Sequence, residues 1–185
     1  MIKYVCGFLF DKTTNLVVLI EKQKPLWQKD KWNAVGGKIE LNETPLQAMV
    51  REFKEEAGID IDDWKQYCTL RDSDSEIHFF YSVVDAEHIM KVKTMTIEKL
   101  GIWSIDRVNM WNFPLLPNIR WLLPMALGLI KDQRTESYDI WVENSEDLRA
   151  IEVAYAAEEE ANRLRCKRRD EELELYRQAR NLARP

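Results

Sequence analysis

The sequence predicts a mixed α+β or α/β sandwich followed by a helical extension. Three observations carry this: short β-rich runs surround two apolar-faced helical segments, one helix has capping signals at both ends, and the composition changes after Asn144. Residues 3–10 and 16–21 are rich in β-branched and aromatic side chains. The turn-forming DKTTN joins them, so they are expected to form a hairpin. Residues 22–32, KQKPLWQKDKW, are a polar loop punctuated by aromatics. Residues 33–40 are expected to form a short strand containing the Gly36–Gly37 pair, where backbone can approach closely.

The next segment is the clearest helix. Thr44 is a suitable N-cap, Pro45 occupies the favoured first position, and Gln47 completes a T-x-x-Q capping box. Leu46, Val50, Phe53 and Ala57 form an apolar stripe, and Gly58 supplies the stop. Residues 64–70, 76–84, 101–105 and 137–143 are expected strands, and 118–130 an expected helix broken or kinked at Pro124. From 144 to 185 there is no glycine and no internal proline. Glu, Arg, Ala and Leu crowd this stretch, so it is expected to be a solvated helical appendage rather than a sustained heptad coiled coil. The expected division is therefore residues 1–143 as one domain and 144–185 as an extension.

The chain as a whole limits the functions available to it. Thirty-two acidic and 27 basic residues give a net charge of −5, which does not suit a general duplex-DNA binder. A phosphate chain can still be held where divalent cations supply positive charge locally. Cys6, Cys68 and Cys166 are odd in number and lack C-x-x-C spacing, as expected of free thiols in a reducing compartment. The N-terminal stretch lacks the features of a secretory signal, and the longest apolar run, 121–130, is too short to span a bilayer. A cytoplasmic location without membrane association is the expectation.

The chemistry is concentrated in residues 37–59, GKIELNETPLQAMVREFKEEAGI. Glu52, Glu55 and Glu56 stand at i, i+3 and i+4, so their carboxylates share one face of the helix and repel one another. Taken alone, R-E-x-x-E-E is more readily a solvated helix face. Cations change that reading: hard carboxylate oxygens suit Mg²⁺ or Mn²⁺, which bridge to phosphate. Arg51 flanks the cluster and can pair with one of these carboxylates or with Glu43 across the loop, fixing rotamers.

The spacing resembles the Nudix box, G-x5-E-x7-R-E-U-x-E-E-x-G-U, with U a bulky apolar residue. Gly37, Glu43, Arg51, Glu52, Phe53, Glu55, Glu56, Gly58 and Ile59 occupy its defined positions. The resemblance implies an α/β/α sandwich around a mixed sheet over roughly residues 1–143, and hydrolysis of a phosphoanhydride bond. It implies Glu52, Glu55 and Glu56 as ligands of Mg²⁺ or Mn²⁺, with Glu52 or Glu56 as general base. Gly37 would supply a carbonyl or close approach at the metal, while Arg51 and Glu43 orient the glutamates and Gly58 ends the helix.

The wider pattern is similar to the MutT-type nucleoside triphosphatases, in particular those acting on oxidised purines. KWNAVGGK at 31–38 carries that likeness, with MWNFPLL at 110–116. It implies Asn33 as reader of a purine edge, Trp27 and Trp111 as aromatic faces for the base, Lys38 as a further substrate contact, and Glu98 as an additional metal ligand. Amide groups pair with purine edges and aromatic rings stack on bases.

One departure narrows the substrate. The related enzymes carry two acids after the Met-Trp pair, whereas this chain has Asn112-Phe113-Pro114. The expected substrate is therefore a nucleoside triphosphate, with modified purines included but not singled out. Two alternatives stand beside it. An ADP-ribose-type pyrophosphatase commonly has a proline some fifteen residues past the box, but 60–83 contains none. A regulatory nucleotide-binding module commonly has eroded glutamates, but here the box is intact. The expected partner is a small nucleotide rather than nucleic acid, with the C-terminal helix as the surface for a second copy or a protein partner.

Overall fold

The computed structural model describes residues 1–142. Its elements, in chain order, are β1 (Ile2–Asp11), β2 (Leu16–Glu21), β3 (Trp32–Asn33), α1 (Pro45–Ala57), β4 (Lys65–Arg71) and β5 (Ser75–Val84). They continue with α2 (Ala86–Ile89), β6 (Lys99–Ser104), α3 (Ile105–Val108), α4 (Ile119–Lys131) and β7 (Tyr138–Trp141). The strands form one mixed sheet in the order β3-β2-β1-β5-β4-β7, with β6 on the other edge of β2. The expected hairpin is present: Leu9 pairs with Val18 and Phe10 with Val17. Its turn is held by the Asp11 carboxylate, which accepts from the backbone N–H groups of Thr13, Asn15 and Leu16.

Period-two alternation gives the sheet two apolar faces. On one, Val5, Leu9, Val18, Ile20 and Phe80 pack under Ala48, Met49, Phe53 and Ala57 of α1. On the other, Phe8, Phe10, Val17, Leu19 and Phe79 pack under Ile119, Leu122, Leu123 and Ala126 of α4. The buried Tyr67 hydroxyl donates to the Leu122 carbonyl at 3.1 Å, tying β4 to α4. The result is the α/β/α sandwich expected from the sequence.

Three local expectations are corrected. The inward stripe of α1 is Ala48, Met49, Phe53 and Ala57, while Leu46 is 44% exposed and Val50 is half-buried. Periodicity fixed the period of that helix but not its rotation on the sheet. Helix α4 continues through Pro124 without a break. Pro124 is on the exposed side, and apolar contacts on the opposite side hold the helix together. The strand expected over 33–40 is only Trp32–Asn33, continued by isolated bridges from Val35 to Gly7 and from Lys38 to Tyr4. Cys166 and the expected helical extension lie outside the described residues.

A charged network stitches β1, β4, β5 and β7 together. The buried Glu76 carboxylate takes Lys3 at 3.0 Å, Arg71 at 3.0 Å and His78 at 2.8 Å, and Arg71 also reaches Asp139. Burial would raise the carboxyl of Glu76. Arg71, Lys3 and His78 together outweigh it and bring the pKa down to about 2 from an ordinary 4.5. A carboxyl lowered on folding stabilises the fold above its unfolded value, and that stability is lost as pH falls from 4.5 through 2. Allowing for solvent around Lys3 and Arg71, the contribution at neutral pH is about 2 kcal/mol. Glu76→Gln is accordingly expected to lower Tm by roughly 5 °C at pH 7, with the difference shrinking below pH 4.5. Thermal unfolding of both proteins across that range measures it.

Candidate active site

The site begins where the sheet splits. Strand β6 pairs along the whole of β2, so β1 and β3 share the other edge of β2, at Val17–Val18 and Ile20–Glu21 respectively. The chain from Asn33 to Lys38 fills the wedge that opens between β1 and β2. Val5 N–H donates to the Gly37 carbonyl at 2.9 Å, and Gly7 N–H to the Val35 carbonyl at 2.7 Å. No side chain fits at Gly36, and one at Gly37 would push the Glu52 carboxylate away. A Cβ on Gly36, at φ +153°, would lie 2.1 Å from the Val5 carbonyl oxygen, and one on Gly37 would lie 2.5 Å from the Glu52 carboxylate. The paired glycines therefore let α1 lay its carboxylates directly on backbone.

Helix α1 is set up by its own sequence. Thr44 Oγ1 accepts from Gln47 N–H, Gln47 Oε1 accepts from Thr44 N–H, and Gly58 closes the helix at φ +71°. Arg51 is the hub of the face beyond. Its Nε and Nη2 grip both oxygens of Glu43 at 2.8 and 2.9 Å. Nη1 donates to Glu52 at 2.9 Å and to Glu55 at 3.3 Å, and Nη2 also donates to the Lys38 carbonyl at 3.0 Å. One guanidinium thus joins the box loop to two of its glutamates, as a planar fork does best. Hydrogen bonds from Arg51 hold the Glu43 carboxyl below its ordinary range.

The glutamates occupy different environments. Glu55 is exposed. Glu52 is partly buried, and burial, opposed by Arg51, raises its carboxyl. Glu56 takes the Gly36 N–H at 3.2 Å. Burial pushes the carboxyl of Glu56 up to about 7, against Lys22 and the Gly36 N–H, with the charges of Glu52 and Glu98 adding to the rise. Glu98, far away in sequence, accepts from Lys22 Nζ and from Gln23 N–H at 2.8 Å. Glu52, Glu56 and Glu98 thus share one electrostatic neighbourhood, with Lys22 as its internal cation. Among the described residues no three acidic, His or Cys side chains converge as a ready-made metal cluster. Each carboxylate has instead turned to a cation or an N–H, as like charges do.

Asn33 and Lys38 bound the segment that fills the wedge. Asn33 is half-buried, and its side-chain oxygen accepts from Ala34 N–H at 2.8 Å. Lys38 is exposed. Trp27 and Trp111 are 50% and 62% exposed, so neither is a core aromatic. Their loops meet, because Trp32 N–H donates to the Pro114 carbonyl and Leu116 N–H to the Trp32 carbonyl. Sequence reasoning missed Lys22 and Cys6. The Cys6 thiol, pushed up to about 12 by burial, feels Lys22, Glu56 and Glu52. A lysine just past β2 gave no local hint of a partner 76 residues away.

Residues 2–140 match the NUDIX domain. The chain belongs to the NUDIX family. A curated relative, 8-oxo-dGTP diphosphatase of Proteus vulgaris, is 42% identical over 69 residues, or 36% of this chain. The match spans 55% of that relative, so the chain covers about half its length. A solved MutT structure, from Aliivibrio salmonicida or Vibrio cholerae, superposes with a TM-score of 0.54 at 21% identity, covering 69% of this chain and 96% of that one. The NUDIX domain of Shewanella oneidensis NrtR, solved with ADP ribose, gives 0.55 at 18% identity over 68% of this chain and 86% of that domain. At such identities these likenesses concern the fold, which MutT and an ADP-ribose-binding domain share.

Proposed function

We propose that this NUDIX protein hydrolyses a nucleoside triphosphate, deoxy or ribo, to the monophosphate and pyrophosphate, with modified purine nucleotides among its substrates. The observation that carries the reading is the pair Glu52 and Glu56 laid against Gly36–Gly37, with Glu52 clamped by Arg51. The donor set is all oxygen. Glu56 is partly buried in the field of two further carboxylates, so the residues fit a hard divalent ion, Mg²⁺ or Mn²⁺. Such an ion, when bound, polarises phosphoryl oxygens and makes water a competent nucleophile.

Glu52 and Glu56 would hold that ion, with Glu55, Glu98 and the Gly37 backbone beside them. Glu52 or Glu56 takes the proton of the attacking water, the two titrating as a coupled pair. Arg51 and Glu43 fix the rotamers. Lys22 balances Glu98 until substrate phosphate arrives, and Lys38 stands exposed at the rim. The Asn33 side-chain NH₂ is the donor for a purine edge, and the exposed Trp27 and Trp111 supply stacking faces. The catalytic unit is residues 1–143. Residues 144–185 would serve as an appendage for a second copy or a protein partner. A cytoplasmic setting agrees with the free Cys6 and Cys68.

A substrate panel of dNTPs, oxidised dNTPs, ADP-ribose and dinucleoside polyphosphates tests this reading. Triphosphates are expected to give the highest kcat/KM, and dominant release of AMP from ADP-ribose would overturn it. Asn33→Ala is expected to flatten discrimination between bases by about tenfold while leaving the pyrophosphate-releasing step intact. Equal loss on every triphosphate would remove Asn33 from base recognition.

A further inference from the structure

Lys22 and Glu98 form an ion pair in which the side chains are only 17% and 14% exposed. Lys3, Lys12 and Lys54 also pair with carboxylates, but each is more than half exposed. Both oxygens of Glu98 are engaged, one by Lys22 Nζ and the other by the Gln23 N–H at 2.8 Å. Lys22 follows the last residue of β2 and Glu98 precedes the first of β6, and those two residues, Glu21 and Lys99, are register partners.

The approach to β6 is also pinned to the end of α1. Lys93 N–H donates to the Ala57 carbonyl at 3.0 Å, and Met95 N–H to the Glu56 carbonyl at 3.1 Å. The pair is thereby held near Glu56, whose own carboxylate takes the Gly36 N–H. Lys22 accordingly opposes the rise of the Glu56 carboxyl, and Glu98 adds to it.

A purely structural pair accounts for the contact but not for its place. Strands β2 and β6 are already joined along the whole of β2, and a largely buried ammonium is costly to desolvate. What the position supplies is one positive charge among the carboxylates that hold a divalent ion on the reading given under Proposed function, on which this inference rests. Two cations on those carboxylates repel each other. A lysine is a point charge on a flexible stem, so it can withdraw without disturbing the backbone.

We infer that Lys22 makes divalent-ion binding conditional on the nucleotide: its ammonium competes with the ion for Glu98 and Glu56, and turns from them to the triphosphate when that arrives. Ion and triphosphate then strengthen each other's binding beyond their direct contact, and the coupling is reciprocal. Lys22 is a positioning residue in this scheme.

The test is Mn²⁺ binding to the full-length chain, followed by electron paramagnetic resonance of the free ion. It is run without nucleotide and with an α,β-methylene purine triphosphate, the ion held by that analogue in solution being subtracted. Lys22→Met keeps the stem and removes the charge. Without nucleotide it is expected to bind Mn²⁺ about tenfold more tightly than the unsubstituted chain, and with the analogue to agree with it within about threefold. Lys22→Gln is expected to show the same gain, and Lys22→Arg none. Lys24→Met removes an exposed charge two residues on, and is expected to change the affinity by less than about twofold at about 0.15 M salt. Unchanged or weaker Mn²⁺ binding by Lys22→Met and Lys22→Gln, or an equal gain in Lys24→Met, overturns the inference. Absence of Mn²⁺ binding to every one of these proteins, with the analogue and without, would overturn the metal reading of the site and this inference with it.

Discussion

Glu56→Gln is expected to lower kcat by about a thousandfold or more, roughly 4 kcal/mol of transition-state stabilisation, with little change in Tm. The side chain is nearly isosteric and can still accept the Gly36 N–H through its amide oxygen, so the wedge between β1 and β2 keeps its packing. What is removed is the negative charge. Glu56 sits where burial and two neighbouring carboxylates make that charge costly, and Lys22 is the nearby cation offsetting it. A neutral amide there binds a hard divalent ion weakly and accepts no proton from water. Neutralising the site can even stabilise the metal-free fold slightly, since a buried like-charge cluster loses one member. Steady-state turnover and thermal unfolding on the same preparation separate the two effects. Near-normal turnover would remove Glu56 from both the metal and the proton-transfer roles.

Arg51→Lys is the second large effect. It is expected to cost about a hundredfold in kcat and about 2 kcal/mol in stability, even though the charge is retained. The arginine makes five hydrogen bonds through three nitrogens: two to Glu43, one each to Glu52 and Glu55, and one to the Lys38 carbonyl. An ammonium is a single point and cannot span Glu43 and Glu52 together. Glu43 loses the interaction that holds its carboxyl low, and Glu52 loses the partner that opposes the effect of burial. Since Glu52 rests on Gly37, its drift would misplace the carboxylate by an ångström or so, enough for a loss of this size. If Arg51→Lys kept full turnover, Arg51 would be a charge-balancing residue rather than an orienting one.

Helix α1 was the most legible part of the molecule, because its start, stop and carboxylate spacing are all local. Thr44, Pro45, Gln47 and Gly58 perform the roles their types imply. The layer order came from the resemblance that the box carries, and the side chains of β1, β2 and β5 supply the two buried faces it requires. What the sequence concealed was long-range. Nothing local tells Met49 from Leu46 as the inward residue of α1; that depends on which turn of the helix meets the sheet. The pairing of Lys22 with Glu98 depends on β2 and the approach to β6 lying side by side. The exposure of Trp27 and Trp111 depends on two loops joined only through Trp32 and Pro114. In the same way, Pro124 suggested a break that the apolar contacts of α4 prevent.

The substrate question turns on what lies around the carboxylates rather than on the carboxylates themselves. Where related enzymes carry acids after the Met-Trp pair, this chain presents Asn112 and Phe113, with Arg107 and Arg120 close to that turn. An acid-based reading of an oxidised base has no counterpart there. On the proposed reading, base selection falls to Asn33 and the two tryptophans.

The most direct measurement is the product pair formed from a purine nucleoside triphosphate, with and without a divalent ion, followed by phosphorus NMR or ion-exchange chromatography. The account predicts nucleoside monophosphate and pyrophosphate in equal amounts with Mg²⁺ or Mn²⁺, and no turnover after chelation. Nucleoside diphosphate with orthophosphate, or hydrolysis that survives the chelator, would contradict it.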